Sequence, residues 1–236
     1  MAAAEAPVAE RVAVVTGGAG AIGSAIVDAL RAVGHRVVVI DRAGDISADL
    51  SSQESTQAAA AEVLAQHGRC DVFVHCAAVF DAAPLSEIDA ATWRHVQAVN
   101  VESPLWLCQA FVPGMAARGF GRIVFVVSDT LWKPPSPLLL PYVASKGALV
   151  GIMRTLAMAF GSSGISATAV APGLTDTPGS RTINTDADFD AVVSVQALKR
   201  RLLPADTAAA VAFLASDGGA ALTGQVLCAD GGVVLR

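Results

Sequence analysis

Tyr142 and Lys146 stand four positions apart in Tyr142-Val-Ala-Ser-Lys146, and no other pair in the chain is better suited to moving a proton. On a helix, residues i and i+4 share a face, with Cβ atoms about 5–6 Å apart. A free tyrosine has a pKa of about 10 and is almost wholly protonated at neutral pH. A neighbouring ammonium favours the phenolate, so Lys146 is expected to lower the pKa of Tyr142 and make it a usable base. Tyr142 is the single tyrosine of 236 residues. Tyrosine and lysine at this spacing also occur on ordinary helix faces, so the pair gains weight from its company. Ser128 ends the apolar run Arg122-Ile-Val-Phe-Val-Val-Ser128 and could donate to a reacting oxygen.

A second chemistry is written near the start of the chain. Arg11-Val-Ala-Val-Val15 reads as a short strand and runs into Thr16-Gly-Gly-Ala-Gly-Ala-Ile-Gly23. Helical periodicity follows through Ile22, Ile26, Leu30 and Val33. Strand, glycine turn and helix together make a phosphate site. The glycines allow a sharp turn and a close approach to a pyrophosphate, and the helix N-terminus offers free N–H groups with partial positive charge. Gly17, Gly20, Ala21, Ile22 and Gly23 are the expected contacts. A next strand, Arg36-Val-Val-Val-Ile40, ends at Asp41. A carboxylate there can accept hydrogen bonds from both hydroxyls of an adenosine ribose and would repel a 2′-phosphate. Arg42 could face a phosphate, but the glycine turn holds no basic residue. NAD is therefore expected over NADP.

The elements that must position these groups alternate strand and helix, which argues for a parallel sheet with helices on both faces. Strands are expected near 11–16, 36–41, 71–76, 121–128, 165–171 and 225–229, and helices near 21–33, 52–67, 92–117, 142–162 and 204–216. Only Arg42-Ala-Gly-Asp-Ile-Ser-Ala48 separates Asp41 from Asp49-Leu50. A parallel crossover needs about a dozen residues or more, so the usual connecting helix is expected to be missing here, its place taken by a short loop. The segments 103–117 and 142–160 are apolar nearly all round, which calls for cover on a second side.

Together these motifs resemble the short-chain dehydrogenase/reductase family over residues 8–236. Thr16 to Gly23 resembles its cofactor turn, and Asn100 in Ala98-Val-Asn-Val101 its active-site asparagine. Ser128, Tyr142 and Lys146 resemble its catalytic set. Ala171-Pro-Gly-Leu-Thr-Asp-Thr177 resembles the loop that grips the nicotinamide, and Leu222-Thr-Gly-Gln to Ala229-Asp-Gly-Gly232 its last strand. Within the family the chain is most similar to NAD-dependent secondary-alcohol dehydrogenases, including those acting on aryl ketones. The resemblance implies a single Rossmann-type doubly wound domain over 8–236, preceded by a loose tail over 1–7. It implies that Asp49 and Leu50 lie against the adenine, and that Cys76, Ala77 and Ala78 with Pro172, Gly173, Thr175 and Thr177 line the cofactor site. Lys146 would also hold the nicotinamide ribose, and Asn100 would support a water chain from Lys146. A homodimer or homotetramer through 103–117 and 142–160 follows by the same resemblance.

Three departures stand out. Ala21 replaces the middle glycine of the turn. The family's Asn-Asn-Ala-Gly reads His75-Cys-Ala-Ala78, and His75 is expected to be a structural core residue. Ser128 precedes Tyr142 by 14 positions, one more than is usual, while Asp129 has the usual spacing but no hydroxyl to donate.

Composition fits a globular enzyme. The hydrophobic share of 53% supplies a core, and a net charge of −5 with Lys199-Arg-Arg201 as the one basic run leaves no face for nucleic acid. That run is expected to be a solvated helix end or a lid. Cys70, Cys76, Cys108 and Cys228 show neither disulfide nor metal-ligand spacing, so reduced thiols in the cytoplasm are expected. The start Met1-Ala-Ala-Ala-Glu-Ala-Pro7 lacks the features of a signal peptide. Residues 155–175 carry no charge, but Gly161, Gly164 and Pro172 should break them before they could span a membrane. The segment Thr130–Pro141, apolar apart from Lys133, suits an aryl or alicyclic ketone as substrate better than a polyol. A 3-oxoacyl carrier-protein reductase, a cis-dihydrodiol dehydrogenase and a catalytically silent NAD-binding sensor are the other readings. Asp41 weighs against the first and the intact catalytic set against the last.

Overall fold

In the computed structural model, which describes residues 10–235, the β-branched runs become strands, the central ones buried on both faces. The strands are β1 (Val12–Thr16), β2 (Arg36–Asp41), β3 (Ile46–Ser47), β4 (Val72–His75), β5 (Gly121–Val126), β6 (Ile165–Pro172) and β7 (Val226–Ala229). They form one sheet in the order β3-β2-β1-β4-β5-β6-β7, with every pair parallel. Strands covered on both sides need not alternate apolar with polar, which is why they read as near-continuous valine and isoleucine. The expected tail over 1–7 lies outside the described residues.

The helices are α1 (Ala21–Ala32), α2 (Gln53–His67), α3 (Ala90–Gln97), α4 (Ser103–Arg118), α5 (Leu140–Phe160), α6 (Asp186–Val195) and α7 (Pro204–Ala215). Helices α2, α4 and α5 pack on one face through Val63, Phe111, Leu149 and Met153. On the other face α1 and α7 pack through Ile26, Leu30, Val211 and Leu214. The segment 92–117, expected to be one helix, is interrupted by a π-helical turn over Ala98–Glu102. The apolar stretch 155–175 breaks as expected, with α5 ending at Phe160 and β6 following a short turn. By length and composition Pro137–Ser163 could cross a membrane. It carries the buried Lys146 and packs on the sheet instead.

No helix joins β2 to β3, as expected, yet the connection is more than a loop, because β3 pairs with the end of β2. Ile40 lies beside Ile46 and Asp41 beside Ser47. Since β3 matches only the last two residues of β2, the chain retreats by roughly one or two rungs of about 3.3 Å each and four residues suffice. Asp45 accepts the Val39 N–H at 2.9 Å, filling a rung that a longer strand would supply. Gly44 makes the turn possible, because a Cβ there would come within 2.6 Å of the Val39 carbonyl. Without the helix, a groove is left along α1, lined by Gly18, Ser24, Val27, Asp28, Arg31 and Val39.

Candidate active site

All seven strands point the same way, so their C-terminal ends share one edge. β1 and β4 are neighbours there although the chain visits β2 and β3 between them. Such a reversal of winding opens a crevice where ligands bind. Thr16 stitches it together: its Oγ1 bonds His75 Nδ1 at 2.8 Å and accepts the N–H groups of Cys76 and Ala77 at 3.2 and 3.3 Å. His75 is fully buried, as expected of a core histidine. Thr16, the residue that organises this end, was legible only as the start of the turn.

Gly17 has φ +70°, and a Cβ on it would lie 2.6 Å from the Ala77 nitrogen, so the turn presses against the exit of β4. Helix α1 opens at Ala21 with Gly20 as its cap, no capping side chain and no acid in its first turn. Its positive end is thus free for a pyrophosphate, and the residues present fit a dinucleotide. No described non-glycine residue has a positive φ, so the Ala21 methyl imposes no strain. At the tip of β2, Asp41 accepts the N–H of Ala19 at 3.1 Å and of Arg42 at 2.6 Å, which ties this carboxylate to the glycine turn. Asp49, after β3, accepts the Ser51 N–H and hydroxyl at 2.9 and 2.7 Å, and Leu50 beside it is buried.

Beyond β5, Ser128 and Tyr142 come together. Ser128 is buried, its hydroxyl accepts the Thr130 N–H at 3.2 Å, and it lies near enough to the Tyr142 phenol to ease its ionisation. Tyr142 is half-buried, and Phe80 meets its ring edge-on at 6.2 Å. Lys146 is buried, donates to the Val126 carbonyl at 2.8 Å and lies 5.4 Å from the centre of the Tyr142 ring. Asn100 sits in the π-helical turn, a form of irregularity frequent at functional sites. Its amide is fixed by Val79 N–H and C=O at 2.9 and 2.8 Å and by Ser145 Oγ at 3.0 Å.

One expectation is corrected. Lys146 does not lower the Tyr142 pKa in this arrangement; burial pushes the phenol up to about 12, and only the Ser128 contact opposes it. Loss of solvation outweighs a cation at this distance, whose ammonium is turned to a backbone carbonyl. Burial also brings Lys146 down to about 8. The Cys76 thiol, pushed up to about 11 by burial, stays a thiol.

On the far side, Pro172 ends β6, and Gly173 donates to the Ala229 carbonyl at 3.2 Å. Thr175 Oγ1 bonds the Gly173 carbonyl at 3.0 Å, and Thr177 Oγ1 donates to Ser180 Oγ at 3.1 Å. Helix α6, unexpected from the sequence, follows with a capping box of Thr185 and Asp188. The basic run fastens it: Arg201 reaches Asp186 at 2.6 Å and Asp190 at 2.8 Å, while Arg200 pairs with Asp206 at 2.6 Å. The run thus ties α6 to the start of α7.

His75 supports a prediction of stability. Burial depresses its pKa to about 3, so it folds neutral. An unfolded chain would bind its proton below about 6.5, and stability is lost as pH falls from there toward 3. The expected loss is of the order of a few kcal/mol. Melting temperatures over this range should show a shallower acid slope for His75→Asn than for the unaltered protein. An unchanged slope would remove His75 from the account.

A profile of the family described as enoyl-(acyl carrier protein) reductase matches residues 17–234. The chain is 34% identical over 239 residues to galactitol 2-dehydrogenase (L-tagatose-forming) of Cereibacter sphaeroides, covering 93% of each chain. It is 32% identical over 244 residues to a probable galactose dehydrogenase of Rhizobium meliloti (strain 1021), covering 95% of each. Among solved structures, a blue fluorescent protein from a metagenomic library, in complex with NADPH, superposes with a TM-score of 0.88 at 30% identity, covering 95% of this chain and 98% of the other.

Proposed function

The chain belongs to the short-chain dehydrogenase/reductase family, and from that premise we propose a NAD-dependent enzyme that interconverts a secondary alcohol and its ketone, with Tyr142 as general acid and base. The family membership itself makes it a nicotinamide-dependent oxidoreductase of CH–OH groups. The observation that carries the finer reading is the meeting of Ser128, Tyr142 and Lys146 at the same sheet edge from which α1 starts uncapped.

A bound nicotinamide would supply the hydride acceptor or donor. The chain supplies the rest. Tyr142, protonated at rest, gives its proton to the ketone oxygen in reduction, and in oxidation it takes the alcohol proton only once ionised, which the Ser128 contact eases. Ser128 donates to the substrate oxygen, where charge develops in the transition state. Lys146, whose pKa of about 8 leaves it largely protonated at neutral pH, holds the ribose as a hydrogen-bond donor. Asn100 keeps the π-helical turn open for a water chain from Lys146. Gly17 to Gly23 and Asp41 hold the pyrophosphate and adenosine, with Arg42, Asp49 and Leu50 at the adenine. Cys76, Ala77 and Ala78 with Pro172 to Thr177 take the nicotinamide half.

The outer flanks of α4 and α5 support a homodimer or homotetramer, since Met158 on α5 is 87% exposed and an apolar flank of this kind needs cover. The four cysteines, with neither disulfide nor metal-ligand spacing, fit a reducing cytoplasm. The test of function is NAD reduction against a panel of secondary alcohols and matched primary alcohols. Turnover of at least one secondary alcohol, and weaker use of the primary ones, is expected. Failure across the whole panel would overturn the reading.

A further inference from the structure

Among the described residues, the enclosed carboxylates have fixed partners, with one exception. Asp71 is buried against Arg69 at 2.7 Å and Arg118 at 3.3 Å. Asp230 is buried and accepts the N–H groups of Gly232 and Val234 at 2.9 and 2.8 Å. Asp129, next to the Ser128 hydroxyl, has no ion pair among the described residues. Its partners are the Ser128 hydroxyl, at a long 3.5 Å, and the Thr130 amide. Burial and the charge of Asp230 raise its pKa to about 6, with Lys133 acting weakly in the other direction. It also faces the Tyr142 phenol closely enough to oppose its ionisation. A half-enclosed carboxylate with so little to accept is costly unless something donates to it. It stands beside the group that meets the reacting oxygen.

We propose that Asp129 binds a second hydroxyl of the substrate, on the carbon next to the one that reacts, so that the substrate class is a vicinal diol and its α-hydroxy ketone on a largely apolar skeleton. The proposal rests on the secondary-alcohol reading given above. Oxygens on adjacent carbons lie about a hydrogen bond apart, and Ser128 Oγ and Asp129 Oδ1 stand 3.5 Å apart, so one can meet each. Phe80, edge-on to Tyr142 and 44% exposed, gives an apolar wall for the skeleton. A hydroxyl suits Asp129 in either protonation state, because it can donate to the carboxylate or accept from the acid. An anion in its place would meet the field of Asp129 and Asp230.

The test compares kcat/KM for cis- and trans-1,2-cyclohexanediol, cyclohexanol and 2-aminocyclohexanol. One diol isomer is expected to exceed cyclohexanol by about ten- to a hundredfold, the worth of one hydrogen bond to a charged group. That ratio should collapse toward one in Asp129→Ala and fall part of the way in Asp129→Asn, which keeps the shape and a neutral acceptor. In the unaltered protein the preference should grow as pH rises through about 6, and in Asp129→Asn it should stay flat. Equal use of diol and cyclohexanol, a ratio untouched in both variants, or preference for the amino alcohol overturns the proposal while leaving the secondary-alcohol reading standing. Turnover of none of them, nor of any other secondary alcohol, overturns that reading and the proposal with it.

Discussion

Tyr142→Phe is expected to lower kcat by about 10²–10⁴, the usual contribution of a positioned acid or base, with NAD affinity unchanged. The chain has no other tyrosine, so no second phenol can stand in. The ring remains to fill its place against Phe80, so the fold and the nucleotide site should survive. Titration of NAD against tryptophan fluorescence measures the affinity, and initial rates with the best alcohol of the panel measure the loss. Retention of more than about a tenth of the rate would take the proton-transfer role away from this residue.

The second large effect is cofactor choice. The Asp41 carboxylate is held toward the glycine turn by the Ala19 N–H, with oxygen lone pairs left for a ribose. Each hydrogen bond to a charged group is worth about 1.5–3 kcal/mol, and a 2′-phosphate would replace that gain with repulsion. A preference for NAD over NADP of at least about tenfold in kcat/KM is expected, since 1.4 kcal/mol is a factor of ten. Arg42 follows directly, on a turn too short to hold a helix, and is the one cation placed to meet the phosphate. Asp41→Ala should therefore narrow the gap. Equal use of both cofactors by the unaltered protein would refute the role given to Asp41.

What could be read from sequence was what depends on short spacing. The i,i+4 pair Tyr142/Lys146, the turn Thr16–Gly23 and the acid closing β2 are each encoded within a few residues, and the structure brings their positions to one sheet edge. The absence of a helix after Asp41 was legible by counting. The pairing that replaced it was not, because two residues show no alternation and the rung filled by Asp45 is a tertiary contact. Helix α6 lies among charged residues and is fastened from 15 positions away by Arg201, which no local pattern announces. The Tyr142 pKa was misjudged because burial decides it, and burial is a property of the folded whole. Asp129 was noted only for lacking a hydroxyl; its shortage of partners is visible once its neighbours are known.

The lone phenol also makes the protein its own optical indicator. Tryptophan and phenylalanine do not ionise, so the near-ultraviolet band that grows as a tyrosine loses its proton can arise in this chain from Tyr142 alone. An alkaline titration of the intact protein, read as the rise above a constant tryptophan absorbance, is therefore a direct reading of Tyr142 with no label. Whatever brings positive charge beside that ring, or strips it away, becomes a displacement of a single curve.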